Sequence, residues 1–371
     1  MIKSYKNSII ISICTIILVS VGVVMVYSAS KYSAGNMGNK YFYMTKQLIG
    51  AVLGLGAMIG TSLVNHKIYK KFYIVAYIIG FVLLALLFIP GLAKTSYGAT
   101  RWINLGFFTI QPSEIAKFCL VLFLSVALTK GKDVNKPSKL LTVLMAGALY
   151  CVLIMLEPNM SITICVGLTL VVMLFIGGLN LKTFAIGAIP IILLGVGLVM
   201  LEPYRLRRIV AFIDPWQNPL EEGYQLIQSL YAISSGGLFG VGLGNSRQAQ
   251  LFLPFAESDF IFSIICEELG LIGGVSILLV YLTLIITIIK VGIKAQDNYS
   301  KFLCIGIACV LGIQTVLNVC VVSGLIPPTG LPLPFISAGS TSIVVFMSAI
   351  GVVLNVDRQS RANKFAINNE K

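Results

Sequence analysis

Ile9-Ile10-Ile11-Ser12-Ile13-Cys14-Thr15-Ile16-Ile17-Leu18-Val19-Ser20-Val21-Gly22-Val23-Val24-Met25-Val26-Tyr27 runs without a single charge. A helix needs about 20 such residues to cross the hydrocarbon of a bilayer. Lys3 and Lys6 before the run, and Ser28-Ala29-Ser30 after it, give the outline of a secretory signal. Signal cores span only about 7–15 residues, however, so the stretch reads as an uncleaved first membrane helix within an apolar segment at 8–28. Comparable runs follow at 46–64, 72–90, 113–129, 140–157, 160–178, 184–201, 263–289, 302–325 and 339–355. The expected fold is all-α: one polytopic membrane domain over 1–371 with about ten transmembrane helices. Composition agrees. The 371 residues are 57% hydrophobic and 11% charged, with mean hydropathy +0.93, whereas soluble domains carry about 25% charged residues.

The 27 Lys and Arg against 14 Asp and Glu give a net charge of +13. The basic residues sit mainly between the apolar runs, so anionic headgroups and topology explain the excess and no nucleic-acid partner is expected. His66-Lys67-Ile68-Tyr69-Lys70-Lys71 joins runs two and three. Lys130, Lys132, Lys136 and Lys139 join four and five, and Lys290, Lys294 and Lys301 join eight and nine. With Arg358, Arg361 and Lys364 in an expected cytoplasmic tail at 356–371, all fall on one side. Both termini are then cytoplasmic. The eight cysteines lie in or beside apolar runs, with no Cys-x-x-Cys pair, and His66 is the only histidine. They read as small buried hydrophobes, and no zinc site is expected.

The outer side carries the informative loops, 91–112 and the large extracytoplasmic loop 202–262 between helices seven and eight. A connection that long is usually functional or disordered; apolar and aromatic residues throughout it argue for order. Tyr224, Ile227, Leu230 and Tyr231 recur at helical spacing, which fits either an interfacial helix or a plain surface helix. Eight of the acidic residues, Glu202, Asp214, Glu221, Glu222, Glu257, Asp259, Glu267 and Glu268, lie in or beside this loop. Asp259 is the sharpest candidate. It precedes a helix, so capping is an equally available reading. Gln111-Pro112-Ser113-Glu114-Ile115-Ala116-Lys117 opens the fourth run, with Lys117 one turn inside it and three residues from Glu114. A buried lysine needs a partner, and a Lys117–Glu114–Asp259 cluster is the physical guess.

Gly236-Gly237-Leu238-Phe239-Gly240-Val241-Gly242-Leu243-Gly244 lacks the strand that a phosphate loop needs, so turns and close packing are the better reading. Gly50 and Gly54 give a helix-packing spacing. The Asn159-Met160-Ser161 triplet is discounted as chance. Ile326-Pro327-Pro328-Thr329-Gly330-Leu331-Pro332-Leu333-Pro334-Phe335-Ile336-Ser337 cannot continue a helix. It is either a rigid turn or the wall of an outward-facing cavity, since irregular backbone at membrane depth must be buried or line water.

Several stretches taken in order carry a resemblance: Gly98-Ala99-Thr100-Arg101-Trp102-Ile103, Gln111 to Lys117, Arg207-Arg208-Ile209 through Asp214-Pro215-Trp216, and Gly223-Tyr224-Gln225 through Gly240. Gly244-Asn245-Ser246-Arg247-Gln248, Ser258-Asp259-Phe260-Ile261-Phe262, Glu267-Glu268-Leu269-Gly270 and the Pro-rich run complete the set. Together they resemble the SEDS family (shape, elongation, division and sporulation), which includes FtsW, RodA and SpoVE, and lean to the FtsW and SpoVE branch. The resemblance implies a peptidoglycan glycosyltransferase of the bacterial cytoplasmic membrane. Such an enzyme polymerises lipid II at the outer face with a class B penicillin-binding protein, alongside other division or sporulation membrane proteins.

It further implies that Asp259 is the base of an inverting transfer, with Lys117 and Glu114 holding its charge and position. Arg101, Arg207, Arg208 and Arg247 would meet the diphosphate, and Gln111 and Ser113 would contact substrate. No cofactor is demanded and no metal-ligand cluster stands in the sequence; a divalent cation beside the diphosphate stays open. The sequence departs from the family at Pro254-Phe255, at Ser337-Ala338-Gly339-Ser340-Thr341-Ser342 and at Pro158-Asn159-Met160-Ser161-Ile162. A lipid II flippase and a non-enzymatic scaffold are the rival readings.

Overall fold

The computed structural model describes the whole chain except residues 1, 90–91, 97–98, 105–108, 130–132, 186–202, 222 and 370–371. Nine of the ten expected runs are apolar helices among the described residues. Seven are long enough to span a membrane: α1 (Ile2–Asn36), α2 (Phe42–Leu63), α5 (Pro112–Thr129), α6 (Pro137–Leu156), α10 (Ile261–Ile293), α11 (Asn298–Val322) and α12 (Ser340–Asn369). Two are shorter, α4 (Tyr73–Ala85, extended by a 3-10 turn over Leu86–Phe88) and α7 (Met160–Ile176). The seventh run, 184–201, falls almost entirely outside the described residues. Short helices α3 (His66–Lys71), α8 (Pro203–Ile213) and α9 (Tyr224–Ser235) lie in the connections.

Large apolar side chains point outward from α2 (Leu48, Val52, Ile59), α4 (Ile74, Ile78) and α6 (Leu141, Met145, Val152). Such faces are stable only against lipid, so the chain is a polytopic membrane protein. Inside, α2 lies along α12, α10 along α11 and α4 along α5. The Gly50 and Gly54 spacing serves the first of these contacts. A Cβ on Gly54 would sit 2.6 Å from Met347 Sδ.

The structure adds two features to the expected picture. α12 runs on through the expected tail as far as Asn369. Arg361 pairs with Asp357 at 3.2 Å and donates to Ser8 Oγ at 3.0 Å, which ties α12 to α1 near both chain termini. The loop 91–112 holds the only strands among the described residues: β1 (Ala93–Ser96), β2 (Ala99–Asn104) and β3 (Thr109–Ile110), antiparallel in the order β1-β2-β3. Thr100, Trp102 and Ile103 supply the β-prone side chains.

The glycine-rich segment proves to be packing. α10 breaks at Gly270 (φ 69°, ψ −173°), a conformation open to glycine. The segment crosses this break, with Val241 N donating to Glu267 O (2.9 Å) and Leu271 N to Gly237 O (2.9 Å). A Cβ on Gly240 would stand 2.1 Å from Glu268 O. The carboxylate of Glu267 accepts from Arg247 N (2.9 Å) and the Ser246 hydroxyl, and that of Glu268 from Ser28 Oγ (2.6 Å). These two acids are therefore spent on holding the loop. His66 is likewise structural: its ring meets Asn355 Oδ1 (3.0 Å) and Ser300 Oγ (2.7 Å) and stacks on Tyr299.

Candidate active site

Asp259 ends the irregular segment before α10, where Phe260, not Asp259, takes the cap position without a side-chain bond. Capping is thus not its use. Three consecutive carbonyls fix its backbone: Glu257 O accepts from Ala338 N (2.8 Å), Ser258 O from Ser337 Oγ (2.6 Å) and Asp259 O from Asn318 Nδ2 (2.9 Å). Its Oδ1 accepts from Ser258 Oγ at 2.9 Å. Burial raises the carboxyl above its ordinary range, while the Ser258 hydroxyl and the guanidiniums of Arg101 and Arg208 pull it back down.

The half-buried carboxyl faces a cavity of about 450 Å³, whose wall includes Arg101, Gln111, Arg208, Glu257, Gly330 and Ser342. Arg101 donates to Pro158 O, and Arg208 Nη1 to Pro328 O at 2.9 Å. Burial also raises Glu257, and its neighbour Asp259 adds like-charge repulsion. Five helices bring their N-terminal ends here. Tyr43 and Gln47 of α2, Gln111 before α5, Gln225 of α9, Phe260 before α10 and Ser340 to Ser342 of α12 all line the cavity. Each such end carries a fraction of a positive charge. Together with two guanidiniums they suit a polyanionic group.

Glu114 and Lys117 pair at 2.8 Å, both fully withdrawn from solvent. Glu114 Oε2 accepts from Ser342 Oγ at 2.8 Å, and Lys117 also donates to Gln314 Oε1. The expected three-member cluster therefore divides in two. Lys117 spends its donors on Glu114 and Gln314, and Asp259 answers to Arg101 and Arg208 instead. Of the other expected contacts, Gln111 lines the cavity, and Ser113 is buried beside α5's start and does not. Arg207 and Arg247 also lie off the wall.

Gln47 is a functional position the sequence did not single out. Gln47 donates to Ile336 O (3.1 Å) and Ser337 O (3.0 Å) and accepts from Gly339 N (3.2 Å), gripping the Pro-rich segment. A lone amide in an apolar run was the available signal. Glu157, at the end of α6, is fully buried with neither carboxylate oxygen hydrogen-bonded, and burial pushes it up to about 8 against the pull of Arg101. Among the described residues no three His, Cys, Asp or Glu side chains converge as metal ligands.

Residues 8–362 match the sequence profile of the FtsW/RodA/SpoVE family, described as "Cell cycle protein". The chain belongs to that family. It is 38% identical over 363 residues to "Stage V sporulation protein E" of Bacillus subtilis (strain 168), covering 97% of this chain and 99% of the relative. It is 37% identical over 356 residues to "Probable peptidoglycan glycosyltransferase FtsW" of Geobacter sp. (strain M18), covering 95% and 97%. A chain in the solved structure "Structural coordination of polymerization and crosslinking by a peptidoglycan synthase complex" superposes with TM-score 0.78 at 27% identity, covering 93% of this chain and 97% of that one. This FtsW/RodA/SpoVE protein thus shares fold and length with its relatives, and of the residues the resemblance singled out as base and cations its cavity wall includes Asp259, Arg101 and Arg208.

Proposed function

We propose that this chain is a peptidoglycan glycosyltransferase that polymerises lipid II at the outer face of the cytoplasmic membrane, with inversion and with Asp259 as general base. The observation that carries the reading is the single cavity wall shared by Asp259, two guanidiniums and five helix N-termini. The 4-hydroxyl of an acceptor GlcNAc attacks C1 of the donor MurNAc as the bond to undecaprenyl diphosphate breaks. A sugar hydroxyl is too weak an acid to ionise beforehand, so Asp259 takes its proton as the new bond forms. Arg101, Arg208 and the helix ends meet the negative charge that collects on the leaving diphosphate. One displacement turns the α linkage into β and needs no covalent enzyme intermediate.

The basic inner loops support an orientation with both termini cytoplasmic and the cavity outside. A second pocket of about 300 Å³, between α2, α5, α11 and α12, is lined almost wholly by apolar side chains, among them Phe118, Leu122, Leu303, Ile307 and Val352. It suits an isoprenoid tail and gives a sugar headgroup nothing to bond during a crossing, which weighs against a flippase. Likeness to a chain of a peptidoglycan synthase complex supports a class B penicillin-binding protein as partner, in division or in spore-cortex synthesis.

The test is polymerisation of fluorescent lipid II by the purified protein with its cognate class B partner, wild type beside Asp259→Asn. Glycan ladders from wild type alone support the assignment. Ladders from both discard the base, and none from a folded, bound pair discards the enzyme.

A further inference from the structure

We infer that Asn318 and Gln314, one turn apart on α11, are positioning residues for Asp259, and that the buried Lys117–Glu114 pair acts on the site through them. The inference rests on the glycosyltransferase reading above. Lys117 does not reach Asp259; its ammonium is shared between Glu114 and Gln314 Oε1. Gln314 passes the link onward, its Nε2 donating to Pro332 O at 2.8 Å. Four residues along the same helix face, Asn318 Nδ2 donates to both Leu331 O (2.6 Å) and Asp259 O (2.9 Å).

Two carbonyl acceptors leave the Asn318 amide one serviceable orientation, with its NH2 toward both. Its Oδ1 is then buried without a partner. An unpaired buried acceptor works against folding, so the position keeps an amide for its two donors. Those donors bind the two irregular segments that meet at the carboxyl. One carries Asp259, and the other carries Gly330, whose backbone abuts Asp259 Oδ2. Neither segment is a helix or a strand, so α11 supplies the rigid reference that fixes their separation. A general base must sit within about 3 Å of the proton it takes, and a misplacement of about 1 Å costs about a hundredfold in rate.

The test uses the full chain with its cognate class B partner. Asn318→Leu keeps the side chain's bulk and removes both donors; Gln314→Leu breaks the link to Lys117 and Pro332. In each, kcat for lipid II polymerisation should fall about ten- to a hundredfold, with KM within about twofold of wild type. The acid limb of the kcat–pH profile should also move to lower pH, because water admitted around a loosened Asp259 relieves its desolvation. A folded Asn318→Leu protein with wild-type kcat and an unmoved limb overturns the inference. So does a loss of active fraction with an unmoved limb, which a merely structural role would give. If Asn318→Leu is not recovered folded, Gln314→Leu is read by the same criteria; if neither folds, the residues are structural and the inference falls. An inactive wild type, or a fully active Asp259→Asn, removes the glycosyltransferase reading itself. Activity lost in Asp259→Asn but kept in Asn318→Leu removes only this inference.

Discussion

Gly330 and Asp259 stand so close that a Cβ on residue 330 would come within 2.9 Å of Asp259 Oδ2, and Gly330 holds φ at +67°. The Pro-rich segment therefore approaches the carboxyl with bare backbone. Gly330→Ala adds both a collision at the base and a left-handed strain of about 1 kcal/mol or more. Polymerisation should fall much further than the small drop in Tm predicts. Unchanged turnover would show that the carboxyl has room to move aside.

Asp259 gives opposite signs for stability and activity. Its folded pKa is raised by burial above the roughly 3.9 of an unfolded chain. Its contribution to stability is then fully present below the unfolded value and lost as pH rises through the folded one. Asp259→Asn should therefore raise Tm at pH 7, with the gap closing on acidification. Polymerisation needs the ionised form, so wild-type activity should fail on acidification at a pH above the ordinary carboxylate range. Parallel Tm–pH and rate–pH curves check both, and an Asn variant no more stable at pH 7 would refute the account.

Lys117→Met leaves the Glu114 carboxylate buried without its cation. Breaking such a pair costs about 3–5 kcal/mol, whereas removing both charges is nearly neutral. Thermal unfolding in detergent should show a large drop for Lys117→Met and recovery of most of it in Lys117→Met with Glu114→Gln. A double variant as unstable as the single would reject the buried-charge explanation.

Arginines on the cavity wall should separate from one off it. Arg101→Ala and Arg208→Ala, on the cavity wall, should lower kcat/KM for lipid II about ten- to a hundredfold. Arg247→Ala, whose backbone serves Glu267 while the residue lies off the wall, should leave it close to wild type. Steady-state kinetics over a range of donor concentrations decides, and equal losses at all three would redraw the cavity.

Glu157→Gln should help increasingly between the unfolded and folded pKa values of the carboxyl. The wild-type group, pushed up to about 8, stays protonated in the fold while the unfolded chain ionises from roughly 4.3 upward, so the variant's advantage in Tm should grow across that window and level off above it. A gain already complete at pH 6 would mean that the carboxyl ionises in its usual range.

Apolar run length was enough to place nine helices, because hydrocarbon thickness fixes how many such residues a span needs. Spacing also exposed the Glu114–Lys117 pair, since residues three apart share a helix face. What Lys117 meets next was beyond reach, because Gln314 lies 197 residues away and carries no charge to draw attention. Gln47 and Asn318 escaped for the same reason, as amides look inert in a hydropathy count although they grip the Pro-rich loop. The three-stranded sheet was hidden by short strands. β3 has two residues, too few to show an alternation.

The five helix N-termini around the cavity have a consequence for its pH response. Backbone amides neither gain nor lose protons in the working pH range, and arginine stays charged throughout it. The pull these donors and guanidiniums would exert on a diphosphate therefore does not itself titrate. The carboxyls of Asp259 and Glu257, on the same wall, are where pH enters the site.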